Sequence, residues 1–224
     1  MLYLLDTADL NAIRHYSEFY PIDGVTTNPS ILAKSGGDFW GTLLAIRQII
    51  GPDKMLHVQT RGITAEQMVA EGLHLKEKLG GDFYLKIPVC EEGLKATMEL
   101  KKLGVKVTVT AIFTPAQALM AAKAGADFVA PYVNRLDSIM GDGVRVVSEI
   151  VEQFELYGIE TRVLAASFKN AEQVHKCALV GCHSVTVTAD IMKNLISHPM
   201  TDAAIEGFDR DWRSVYGDKK ISDM

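Results

Sequence analysis

Cysteine is scarce, and what there is does not suit the usual roles. Cys90, Cys177 and Cys182 are odd in number and form no CxxC pair, which argues against a disulfide framework or a zinc site and makes a reducing cytoplasm the expected setting. Basic charge is not in excess: 23 Lys plus Arg stand against 28 Asp plus Glu, a formal charge of −5, so no nucleic-acid or membrane partner is expected. Any phosphate must therefore be caught by local groups. The opening MLYLLDTADL has an acidic residue by position 6 and no basic region ahead of an apolar run, so no secretory signal is expected. No apolar run reaches membrane-spanning length. The six histidines, His15, His57, His74, His175, His183 and His198, show no HExxH or similar spacing; each reads as an ordinary surface or core residue, and no metal or other cofactor is expected.

What is present is a chain of 224 residues, 48% hydrophobic and 23% charged, which fits one soluble domain over 1–224 with a sizeable core. Short β-rich runs alternate with helical stretches from end to end. Strands are expected at Leu2–Asp6, Gly24–Thr26, Met55–Gln59, Phe83–Ile87, Lys106–Thr110, Phe128–Pro131, Arg162–Ala166 and Ser184–Val187. Helices are expected at Leu10–Phe19, Phe39–Ile49, Ala65–Leu79, Glu92–Leu103, Pro115–Ala124 and Val144–Tyr157. Gly51, Gly80, Gly104, Gly125, Gly158 and Gly181 each fall between a helix and the next strand, where a left-handed turn suits a residue without Cβ.

Eight such units make either an open doubly wound sheet or a closed (β/α)₈ TIM barrel. The first strand is not followed by GxGxxG, and side-chain parity favours the barrel. With Lys86 inward, Tyr84 shares its face while Phe83, Leu85 and Ile87 turn toward covering helices. Asp6, Thr26, Gln59, Thr110, Tyr132, Ser167 and either Thr186 or Thr188 then gather at the carboxyl ends of the strands. Catalytic groups of these barrels sit at that rim.

Lys86 ends a strand flanked by Phe83, Leu85, Ile87 and Val89. Scarce water there disfavours the ammonium and supplies a neutral amine able to attack a ketone; the resulting protonated imine withdraws electrons and promotes carbon–carbon cleavage without a metal. Spacing alone leaves open a lysine that snorkels to solvent or pairs with Asp6.

LDTAD (5–9), GVTTNPSI (24–31), LKIPV (85–89), APYVNRLD (130–137), LAASFKN (164–170) and the DW at 211–212 resemble, in order and over nearly the whole chain, the signatures of the transaldolase family. The nearest branch is the small fructose-6-phosphate aldolases. The resemblance implies a Schiff base at Lys86 and short sugar, sugar-phosphate or dihydroxyacetone-like substrates. It also implies a ring-based homo-oligomer such as a decamer. Gln59 and Tyr132 stand where transaldolases usually carry glutamate and phenylalanine, so they point to the aldolase branch. There the tyrosine, with Gln59 and Thr110, holds a catalytic water and serves proton transfer, roles that suit a phenol and uncharged polar groups. Without the resemblance, Tyr132 reads equally as a core aromatic, and Gln59 and Thr110 as groups satisfying loop amides.

Asp6 is expected to orient the amine or shuttle protons, although an Asp after a strand also begins helices. Asn28 suits ketose hydroxyls, but Asn before Pro also favours a turn; Thr26 is similarly open. The resemblance places Arg135 and Ser167 at the phosphate end, with Asn134 beside them in the same segment. Lys169 is a further cation where the family often has arginine. Two other classes stay in view: a transaldolase, which shares nearly all these residues, and a non-catalytic binding barrel. After Trp212, residues 213–224 are polar and read as a frayed tail, or as an arm on a C-terminal helical segment that grips a neighbouring subunit.

Overall fold

The computed structural model describes residues 1–224. Eight parallel strands close into a barrel in chain order: β1 (Leu2–Asp6), β2 (Gly24–Thr26), β3 (Met55–Gln59), β4 (Phe83–Pro88), β5 (Lys106–Ile112), β6 (Phe128–Pro131), β7 (Arg162–Ala165) and β8 (Ser184–Val187). Helices α1 (Leu10–Phe19), α2 (Pro29–Lys34), α3 (Phe39–Ile50), α4 (Ala65–Leu79), α5 (Glu91–Lys102), α6 (Pro115–Lys123), α7 (Val133–Asp137), α8 (Gly143–Leu156), α9 (Ala171–Leu179), α10 (Ala189–Asn194) and α11 (Pro199–Tyr216) occupy the connections and the C-terminus. The expected strands and helices are present, with ends moved by a residue or two.

Local chemistry explains the boundaries. Capping boxes open α4 (Thr64 with Gln67) and α6 (Thr114 with Gln117), each satisfying two otherwise free backbone amides. All six glycines placed between helix and strand have positive φ, from 54° to 95°. Helices α2, α7, α9 and α10 were not expected. Asn28 and Pro29 start α2, whereas α7 follows β6 with no side-chain cap to announce it.

Parity is as expected. Leu5, Val25, Val58, Leu85, Val109 and Val187 belong to the apolar layer between strands and helices. Inside the barrel, the registers stack inward residues in layers drawn from alternate strands. Above Leu2 and Met55 at the amino end, Gly24, Tyr84, Phe128 and Ser184 form one layer. Leu4, His57, Thr108 and Leu164 form the next. Above them come Thr26, Lys86, Ala130 and Thr186, and then Asp6, Gln59, Thr110 and Ala166 at the carboxyl mouth.

The C-terminal helix is longer than expected: α11 runs past Trp212 to Tyr216, where Gly217 at φ 63° ends it. No residue of α11 is buried, although Ile205, Phe208, Trp212 and Val215 recur at helical spacing to make an apolar stripe. The Trp212 indole N–H donates to the Lys219 carbonyl at 2.8 Å and folds the last residues back on the helix. No helix is long and apolar enough to cross a membrane.

Candidate active site

Lys86 rises from β4 on the barrel axis and is only 5% exposed. It neither snorkels nor forms an ion pair with Asp6: its Nζ donates to the Thr27 carbonyl at 2.9 Å. Burial pushes its proton affinity below the ordinary lysine value, and the charge of Asp6 opposes that shift. Asp6 instead accepts from the Thr26 hydroxyl at 2.6 Å, and Thr26 shares a 2.7 Å hydrogen bond with Thr186. Thr186 is thus the inward threonine of β8, while Thr188 begins α10 and bonds Asp190. Capping of α1 falls to Asp9, not Asp6, which leaves Asp6 facing the barrel interior.

Thr110 and Tyr132 meet across β5 and β6, their hydroxyl oxygens 3.1 Å apart. A register shift between Thr110 and Ile112, with Ala111 at φ 59°, bends β5 at that point. Bulges of this kind re-aim side chains at barrel rims. The Tyr132 ring is fixed from two sides, by the edge of Phe113 at 5.6 Å and by the Arg135 guanidinium at 4.6 Å. Gln59 pairs in register with Lys86 on the neighbouring strand and is half-buried.

The remaining residues divide between committed and free groups. Asn28 spends its carbonyl oxygen on the Ile31 amide at 3.0 Å as the cap of α2. The Asn134 amide is engaged by Ser138 and Gln173 at 3.4 Å each. Ser167 adopts φ 62°, and its carbonyl accepts from the Asn134 amide at 2.7 Å. A non-glycine residue in the left-handed region costs roughly 1–3 kcal/mol, a strain that concentrates at functional sites. Arg135 and Lys169 are exposed and make no ion pair.

The family model for transaldolase/fructose-6-phosphate aldolase matches residues 3–219. The chain belongs to this transaldolase/fructose-6-phosphate aldolase family. Solved structures show the same fold at low identity. Thiamine phosphate pyrophosphorylase from Pyrococcus furiosus is similar at 15% identity and TM-score 0.60, over 84% of this chain and 85% of that one. The native KDPGal structure is similar at 16% identity and TM-score 0.57, over 84% and 82%.

Two side chains of this family member had no signal in the sequence. Glu71, on α4, accepts from the Thr60 hydroxyl and from the Arg61 and Gly62 amides at 2.5, 2.7 and 3.0 Å, and so fixes the turn that follows Gln59. Gln173 takes the Lys169 amide on its Oε1 at 2.7 Å and donates to Asp137 at 2.6 Å, tying the turn after β7 to α7. Neither residue lies in a motif; Glu71 acts on the turn that precedes its own helix, and the reach of Gln173 to Asp137 depends on tertiary packing. His57 is a core histidine, fully buried in the layer beneath Lys86, with its Nδ1 2.9 Å from the Thr108 hydroxyl oxygen.

Proposed function

We propose that this family member is a metal-independent class I aldolase. It cleaves and forms fructose 6-phosphate or related ketoses from dihydroxyacetone-type donors and glyceraldehyde 3-phosphate-type aldehydes. The reading rests chiefly on a desolvated Lys86 in the same barrel mouth as the Thr110–Tyr132 hydroxyl pair. The Lys86 amine adds to the ketose C2 carbonyl and loses water to give a protonated imine. As the water held by Tyr132, Gln59 and Thr110 takes the C4 hydroxyl proton, the C3–C4 bond breaks, the aldehyde leaves, and the electron pair of the broken bond is held as an enamine. Tyr132, through a water shared with Gln59 and Thr110, returns a proton to C3, and hydrolysis releases the ketone and the free amine. Asp6 holds and moves protons at the Lys86 nitrogen, Thr26 and Asn28 bind donor hydroxyls, and Arg135, Ser167, Lys169 and Asn134 receive the phosphate end.

Borohydride reduction with dihydroxyacetone should tag Lys86, located by peptide mass analysis. Fructose 6-phosphate should then be cleaved without any added acceptor aldehyde. An adduct elsewhere would remove the mechanism, while product formation that depends wholly on an acceptor would mark a transaldolase.

The same reading takes the protein as a cytoplasmic homo-oligomer, with the unpartnered stripe of α11 set against a neighbouring copy. Deleting residues 213–224 removes Val215 and the last turn of α11 but no barrel residue. It is expected to lower the solution mass seen by light scattering while thermal unfolding of the barrel changes little. Unchanged mass would count against this assignment of α11.

A further inference from the structure

The layer under Lys86 contains a polar pair where an apolar one would pack better. Leu4 and Leu164 supply two of its four members, and His57 and Thr108 the others. The imidazole is fully buried, stacked on Tyr84 with ring centres 4.5 Å apart and planes at 6°, and set against Phe128 at 5.6 Å. Its Nδ1 lies 2.9 Å from the Thr108 hydroxyl oxygen, and its Nε2 has no partner. Phenylalanine at 57 would keep both ring contacts and remove the Nε2 orphan, but it would leave the buried Thr108 hydroxyl without its partner. The two side chains therefore form one polar pair inside the barrel.

Hydrogen-bond accounting assigns the tautomer. If Nδ1–H donated to Thr108, both the threonine hydroxyl hydrogen and the Nε2 lone pair would go unpaired. If the Thr108 hydroxyl donates to Nδ1, only an Nε2–H is left over. The second arrangement has fewer orphans and places the ring hydrogen on Nε2.

The charges around it point the same way. From β4 the ring meets Lys86 and the Tyr84 phenol, with Lys106 of β5 beyond, 5.1 Å over the Tyr84 ring; Thr108 of β5, Phe128 of β6 and the two leucines bring no charge. No carboxylate faces the ring, and burial together with the Lys86 charge holds its proton affinity well below the ordinary histidine value. Lys86 itself faces one carboxylate, Asp6 of β1, with Thr26 and Thr186 in its own layer and His57 beneath.

We propose that His57, held by Thr108, is a positioning residue that disfavours the ammonium form of Lys86 and so keeps the amine ready to attack. His57 lies in the layer directly beneath Lys86, and an N–H at its unpartnered Nε2 carries the positive end of the ring dipole in a dry interior. The catalytic meaning rests on the Schiff-base reading above, but the proton affinity of Lys86 can be measured without turnover.

The experiment titrates Lys86 by NMR in full-length protein with labelled lysine side chains, in wild type, His57→Phe and Leu164→Val. The last disturbs packing in the same layer without changing polarity. His57→Phe should raise the Lys86 midpoint by about one pH unit, equivalent to a tenfold smaller fraction of neutral amine. Borohydride trapping with dihydroxyacetone at neutral pH should slow by about tenfold as a result, with thermal unfolding as the folding control. Leu164→Val should leave the midpoint in place, and ¹⁵N spectra of wild type should show the His57 proton on Nε2. Thr108→Val, which frees the ring without removing it, should give a smaller upward shift and serves as the test if the Phe variant does not fold. A midpoint that stays or falls in the folded variant, or a proton on Nδ1, overturns the inference. If the midpoint moves as expected but wild type forms no Lys86 adduct, the aldolase reading fails while the effect of His57 on the amine stands.

Discussion

Lys86→Met is expected to yield a folded barrel that forms no reducible adduct with dihydroxyacetone and turns over at background rate. Methionine is unbranched, close to the lysine stem in length and at home among apolar neighbours, so it can fill the space on the barrel axis. The substitution removes the one donor reaching the Thr27 carbonyl, 2.9 Å away. A lost partner of that kind costs about 1–3 kcal/mol, offset in part because no basic group must then be kept in a dry interior. Catalytically nothing compensates: without the amine there is no imine, and losing a covalent nucleophile costs on the order of 10⁴-fold or more. The checks are thermal unfolding, borohydride trapping and ketose cleavage. A Met variant that still cleaves at a measurable fraction of the wild-type rate would show that the reaction runs through another group.

Tyr132→Phe should leave the Schiff base intact and cripple aldol cleavage. The phenyl ring keeps its contacts with Phe113 and the Arg135 guanidinium. Only the hydroxyl hydrogen bond to Thr110 disappears, a loss of about 0.5–1.5 kcal/mol in stability. Loss of a positioned proton donor typically lowers the rate ~10²- to 10⁴-fold, which is roughly 3–5 kcal/mol in the barrier. The effect should therefore fall on kcat. An enamine left waiting for its proton is available to an aldose-phosphate acceptor, so transfer product should rise relative to free ketone, and further in combination with Gln59→Glu. The ratio of released ketone to transfer product, compared across wild type, Tyr132→Phe and the double variant, is the measurement. Wild-type cleavage by the Phe variant would reduce Tyr132 to a packing residue and remove the main residue-level ground for preferring aldolase over transaldolase.

The barrel was legible because its signals are local and repeated. Glycines after helices, strands of a few residues and the alternation around Lys86 all follow from single-residue preferences, and the structure reproduces them. Lys86 was legible as a buried strand-end amine, but its partner was not. Sequence offered Asp6 or solvent, whereas the amine meets a backbone carbonyl at Thr27, which carries no side-chain signature. Asn28 showed the ambiguity of its residue type, since the amide that suits ketose hydroxyls also caps α2. The pairing of Thr110 with Tyr132 depends on a β5 bulge centred on Ala111, a residue with no preference for left-handed backbone. His57 is a core histidine, one of the two readings its sequence allowed, and only the registers show that it lies in the layer beneath Lys86.

Gln173 gives the two arcs of the barrel mouth different mechanics. Through one amide it joins Lys169 on the turn after β7 to Asp137 and Asn134 on α7, and α7 also carries Arg135 and directly follows Tyr132. The candidate phosphate clamp and the candidate proton donor are thus parts of one splint. On the opposite arc, Asp9 and Asn28 cap their own helices and Glu71 holds its own turn, with no shared strut among them. Divergence in substrate choice is consequently less constrained on the β1–β3 side, where one turn can be remodelled without shifting the acid, than on the β6–β7 side, where changing one loop drags the other with it.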